Sequence, residues 1–134
     1  MEQATQNRPL TAYDRLGGQP VVRRIVDRFY DLMEADPAYA ELRAMHAPDL
    51  TPMRASLTGF LTAWLGGPRD WFEERPGLCM MSAHRGVTMT EPTARQWADA
   101  MTRAVQDAEA DPELAAKMAE ALAGMALNMG GVGR

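Results

Sequence analysis

Apolar residues recur along this chain at helical spacing, in blocks that glycine and proline separate. A short turn over residues 12–16 is closed by Gly17 and Gly18. Val22, Val26, Phe29 and Met33 then repeat on one face of a helix predicted over about 19–35, with Ile25 and Tyr30 beside them. Asp36 and Pro37, an N-cap and a residue suited to the first helical position, start a short helix that runs through Met45. Thr51 and Pro52 do the same for the next. There Met53, Leu57, Phe60, Leu61, Trp64 and Leu65 make the strongest amphipathic pattern in the chain, and Gly66-Gly67-Pro68 stops it. Residues 69–77 are charged and aromatic, and are predicted to be a long loop feeding a short helix that holds His84 in its last turn before Gly86. Two more helices follow, one starting at Thr90-Glu91-Pro92 with Trp97, Met101, Ala104, Val105 and Ala108, the other at Asp111-Pro112-Glu113 with Leu114, Met118, Leu122, Met125 and Met129. The pattern predicts an all-α fold of four longer helices, with antiparallel neighbours, in one domain over 11–130. Residues 1–10 are expected to form a flexible leading segment and 131–134 a frayed end.

Composition narrows the function classes. At 134 residues the chain can bury about two-thirds of its unfolded surface, enough for a core and an enclosed cofactor without staples. Eleven methionines and few β-branched residues favour helix over sheet. The net charge is −4 and the basic residues are scattered, which argues against a nucleic-acid partner. One cysteine, Cys79, allows no intrachain disulfide; with a polar start and no apolar run of bilayer length, the expectation is a cytoplasmic protein without a membrane partner.

Of the two histidines, His84 follows the apolar stretch Leu78-Cys79-Met80-Met81-Ser82-Ala83. A buried imidazole needs a partner, either as a metal ligand or as a capping group. Tyr30 and Trp97 are polar-tipped aromatics on or beside inward helix faces, and either can be a packed core residue with an incidental hydrogen bond. His46, just before Pro48, suits a helix C-terminal cap. Cys79, Met80 and Met81 could offer sulfur, but nothing beside them activates a thiolate. There is no Gly-x-Ser-x-Gly elbow, Cys-x-x-Cys pair or His-Glu-x-x-His helix, so no catalytic residue is assigned.

The order of these features is more telling than any one of them. Leu16-Gly17-Gly18, Arg28-Phe29-Tyr30-Asp31-Leu32-Met33, Leu42-Arg43-Ala44-Met45-His46, Phe60-Leu61, Trp64-Leu65-Gly66-Gly67-Pro68, His84 and Trp97 together resemble the truncated haemoglobins of the second group, over nearly the whole chain. The resemblance implies a globin-like, two-over-two helical sandwich enclosing a b-type haem. His84 is then the proximal ligand to iron, with the sixth position open to a diatomic gas. Tyr30 and Trp97 become the distal donors and His46 a third distal residue. Met53 and Leu57 become the apolar distal wall, and Phe29, Met80, Val87 and Met101 pack the macrocycle.

One departure from the family pattern lies near the ligand. Relatives carry arginines just before the proximal histidine, whereas Ala83 stands where an arginine would pair with a haem propionate. Arg75, Arg85 and Arg54 are the candidate substitutes. The function expected is reversible binding of dioxygen, with NO and CO, for oxygen transport or storage by a monomer or homodimer. The alternatives are a haem redox enzyme, a nitric oxide dioxygenase or peroxidase-like catalyst drawing on an external reductase, and, more remotely, a haem-free helical interaction module.

Overall fold

A computed structural model describes residues 10–75 and 89–130, and every regular element among them is helical. Helix α1 (Ala12–Leu16) opens on a capping box in which Thr11 and Asp14 satisfy each other's backbone N–H groups. Helix α2 (Gln19–Ala35) carries Pro20 in its first turn and ends at the extended Asp36. The Asp36 carboxylate accepts the Ala38 N–H and starts a single 3-10 turn (Pro37–Tyr39), which runs into α3 (Ala40–Ala44). Helix α4 spans Thr51–Trp64. Residues 69–77, expected to be loop, contain a further short helix, α5 (Asp70–Glu73), in their described part. A four-residue helix is too short to show a periodicity, so the sequence pattern could not reveal it. Helix α6 (Glu91–Asp107) starts on a second capping box, Thr90 with Thr93. Helix α7 (Pro112–Met129) starts on Asp111, whose carboxylate accepts the Leu114 N–H.

The long helices form two antiparallel pairs. Gly130, just past α7, lies against Ala94 and the Thr90 carbonyl at the start of α6, so those two run in opposite directions. Arg54 in the first turn of α4 pairs with Asp27 and Asp31 late in α2, and the other end of α4 meets the segment before α2 through the bond from Tyr13 N–H to the Leu65 carbonyl. The α2/α4 pair crosses the α6/α7 pair where α2 lies on α6. There Val22, Ile25, Val26, Phe29 and Met33 meet Met101, Ala104 and Val105 in one buried cluster. Each large side chain buried this way contributes about 1.5–3 kcal/mol. Arg28 with Asp107, and Arg103 with Asp36, tie the rim of the crossing.

Burial redistributes the emphasis of the apolar pattern. Seven residues of α2 are buried, whereas α4, expected from sequence to carry the strongest amphipathic pattern, is the less amphipathic of the two and buries only Leu61 and Ala63. Leu57 and Phe60 are half-buried, and Met53 and Trp64 remain 38% and 37% exposed. The reason is position: α2 is sandwiched between α4 and α6, while α4 lies at the edge. No described helix is long and apolar enough to cross a membrane.

Candidate functional site

Four of the residues singled out by sequence are brought together where α2, α3 and α6 converge. Phe29 is fully buried and stands between two partners, the Tyr30 ring at 4.9 Å and the Trp97 ring at 5.2 Å, both edge-on. His46 closes the other side of Tyr30, its ring 6.1 Å away and nearly perpendicular. The arrangement follows from local structure. Phe29 and Tyr30 project from one turn of α2 and Trp97 from the second turn of α6. The 3-10 turn and α3 then bring His46 back over α2.

The chemistry of the cluster is that of neutral donors in apolar surroundings. Burial pushes the Tyr30 phenol up to about 12, with the Arg54 charge opposing, so the O–H keeps its proton across the physiological range. Neither that hydroxyl nor the Trp97 indole N–H is a fully buried polar atom left without a partner. His46 Nδ1 lies 2.8 Å from the Leu42 carbonyl. A carbonyl only accepts, so Nδ1 carries a proton and Nε2 is bare in the neutral ring. Burial holds the His46 pKa below its ordinary value; the Leu42 bond works against this and the nearby Arg43 charge with it. His46 is thus both the helix-end cap that its sequence context suggests and a neighbour of Tyr30.

Of the remaining expected residues, Met101 is fully buried, Leu57 half-buried and Met53 exposed on α4. His84, Met80 and Val87, with Cys79, Ala83 and Arg85, lie outside the described residues. Among the described residues no group of His, Cys, Asp and Glu could hold a metal ion. Two of the three arginines offered for the propionates can be placed. Arg54 is engaged by the carboxylates of Asp27 and Asp31 on α2. Arg75 stacks 4.6 Å above the Trp71 ring and donates to the Trp71 carbonyl.

Sequence reasoning missed the seat of Trp71. Its ring lies on Gly59 of α4 so closely that a Cβ there would come within 2.3 Å of it, and its Nε1 is buried without a partner among the described residues. The only signal was a glycine inside an otherwise regular helical pattern.

The helix order, the crossed antiparallel pairs and the aromatic cluster at their crossing define a globin of the two-over-two type. The family model for bacterial-like globins matches residues 11–130, and the chain belongs to that family. It is similar to the group II two-on-two haemoglobin of Agrobacterium tumefaciens, with a TM-score of 0.85 and 27% identity over 92% of this chain and 95% of that one. A cold-adapted truncated haemoglobin from Pseudoalteromonas haloplanktis gives a TM-score of 0.84 at 26% identity, covering 93% of this chain and 99% of the other. By sequence, a group 1 truncated haemoglobin of Nostoc commune is 29% identical over 61% of this chain, a match that spans 64% of that relative's length. A group 2 truncated haemoglobin of Bacillus subtilis is 27% identical over 72% of this chain and 71% of its own. Family membership implies haem binding, and the truncated two-over-two form expected from the sequence is the form of these neighbours.

Proposed function

We propose that the protein is a b-type haem globin that binds dioxygen reversibly, and NO and CO with it, with His84 as the one protein ligand to iron and Tyr30 and Trp97 as donors to the gas. The observation that carries this reading is the aromatic cluster itself: the Tyr30 phenol, which burial keeps protonated, is packed among Phe29, His46 and the Arg54 charge, with Trp97 on the other side of Phe29. The residues fit a haem: donors are neutral, walls are apolar, and the Leu57 and Phe60 face of α4 is only partly covered by protein.

When bound, haem would be held by His84 and would supply an iron able to take up a diatomic gas. The protein does the rest. Tyr30 O–H and Trp97 N–H favour a ligand that draws negative charge, each by roughly 1–3 kcal/mol as for a bond to a charged acceptor. Dioxygen gains from this and carbon monoxide gains less. His46, neutral and fixed to Leu42, presents no competing cation. Phe29 and Met101 keep water from the crossing.

The visible spectrum of the protein as purified tests the haem directly through its Soret band, and His84→Ala should lose or badly weaken it. Stopped-flow dioxygen release from Tyr30→Phe and Trp97→Phe should be about tenfold faster than from the parent, the effect of losing some 1.4 kcal/mol. Rates within twofold of the parent in both variants would show that neither side chain faces the ligand.

A further inference from the structure

We infer that Arg54 is a positioning residue for Tyr30, holding the phenol ring in place from α4 and setting its strength as a donor. The inference rests on the haem-globin reading for its effect on ligand release, but its geometric part does not. Arg54 stands in the first turn of α4 and its guanidinium reaches across to α2. One nitrogen donates to the Asp27 carbonyl at 3.1 Å and to Asp27 Oδ1 at 3.0 Å, and the other donates to Asp31 Oδ1 at 2.9 Å, with Glu34 at 3.6 Å. The three carboxylates are spaced four and three residues apart, so they line one stripe of α2. A planar fork bonded along such a stripe cannot turn without losing several charge-assisted bonds.

The same guanidinium lies 5.7 Å from the centre of the Tyr30 ring. Tyr30 is therefore gripped on three sides, by Phe29, by His46 and by a cation over its face. The charged and titratable groups around the phenol are Arg54 and His46, with Asp27, Asp31 and Glu34 beyond the guanidinium and Arg43 paired to Glu34 at 3.6 Å. A fixed positive charge beside a phenol makes its O–H more acidic and a better donor, and it opposes the effect of burial. Burial works against the Arg54 charge, but the bonds to Asp31 and Asp27 outweigh it and raise the Arg54 pKa. An isolated surface ion pair would contribute almost nothing. This side chain is only 17% exposed and serves two elements at once.

Two measurements on Arg54→Gln, Arg54→Lys and Tyr30→Phe test it. In protein labelled with 13C at tyrosine Cζ, the Tyr30 resonance, assigned by its absence from Tyr30→Phe, should shift and broaden in Arg54→Gln and be partly restored in Arg54→Lys. In the carbon monoxide complex the infrared carbonyl band of Arg54→Gln should move toward that of Tyr30→Phe. Dioxygen release should quicken about two- to fivefold, the size expected of a lost ring–cation contact. A Tyr30 resonance and a carbonyl band unchanged in both arginine variants, while Tyr30→Phe shifts the band, would overturn the role of Arg54 and leave the globin reading standing. A band that does not move even in Tyr30→Phe would overturn both. Should Arg54→Gln fail to fold, Arg54→Met, which keeps the length and loses both charge and fork, decides by the same two signals.

Discussion

In the α6/α7 pair the buried positions are mostly alanine: Ala94, Ala98, Ala100 and Ala104 on one helix, Ala115, Ala119 and Ala126 on the other, interleaved with Met101, Val105, Met118 and Leu122. Small side chains let two helices approach closely and bury each other without any polar pairing. In the α2/α4 pair the link is a guanidinium reaching over to three carboxylates, and the apolar side of α4 stays partly open. One pair is joined by apolar packing, whereas the other is joined partly by charge and leaves Leu57 and Phe60 half-buried. The difference predicts different work: the self-packed pair should chiefly stabilise the fold, and the charge-linked pair should chiefly affect the bound ligand.

That contrast breaks most visibly if stability and ligand binding fail to separate. Leu122→Ala, in the self-packed pair, should cost about 2–5 kcal/mol in chemical denaturation while leaving dioxygen release within twofold of the parent. A change in release as large as the change in stability would mean that the two pairs act as one unit.

On the α2/α4 side, the phenol of Tyr30 gives a signature in alkali. Its pKa rises from an ordinary 10.0 to about 12 in the fold, so the folded state holds the proton more tightly and the stabilisation is complete below pH 10. It is then lost as pH rises through 12. Two pH units correspond to roughly 2–3 kcal/mol at most. Denaturation curves from pH 9 upward should therefore fall faster for the parent than for Tyr30→Phe; parallel curves would show that Tyr30 is no more buried than a surface tyrosine.

Two glycines sharpen the comparison at smaller scale. Gly59→Ala in α4 should cost about 1–3 kcal/mol, although alanine is the better helix former, because its Cβ collides with Trp71. Gly124→Ala in α7, where nothing lies within 4 Å of a new Cβ, should stabilise by about 0.5–1 kcal/mol. Thermal melts of the two variants should move in opposite directions. Smallest of all, Lys117→Ala removes an exposed pair with Glu113 and should change stability by less than about 0.5 kcal/mol.

Much of this was legible in the chain. Periodicity marks α2, α6 and α7 because their buried stripes are long and regular, and Asp36-Pro37 and Asp111-Pro112 sit where the structure places helix starts. The site was legible only through resemblance. Phe29, Tyr30, His46 and Trp97 are scattered over about half of the chain, and nothing local says that they meet. The degree of burial of α4 could not be read, since an apolar stripe does not reveal how much of it is covered. Arg54 was noticed only as a candidate partner for a haem propionate, and its pairing with α2 was not foreseen. Asp27, Asp31 and Glu34 look like an ordinary solvated helix face, and their convergence on one guanidinium depends on how α4 crosses α2.

The clasp between α1 and the end of α4 bears on how the chain reaches this arrangement. Gly66, at φ +94°, lies against Thr11, and Gly67 is so close to the Tyr13 ring that a Cβ would fall 2.7 Å from it. Tyr13 and Leu65 are roughly fifty residues apart, so their bond closes a long loop and is expected to form after α2 and α4 have paired, late on the folding path. Enlarging Gly67 should thus leave the refolding rate nearly untouched and show itself in unfolding, so that this corner governs how long the folded globin lasts.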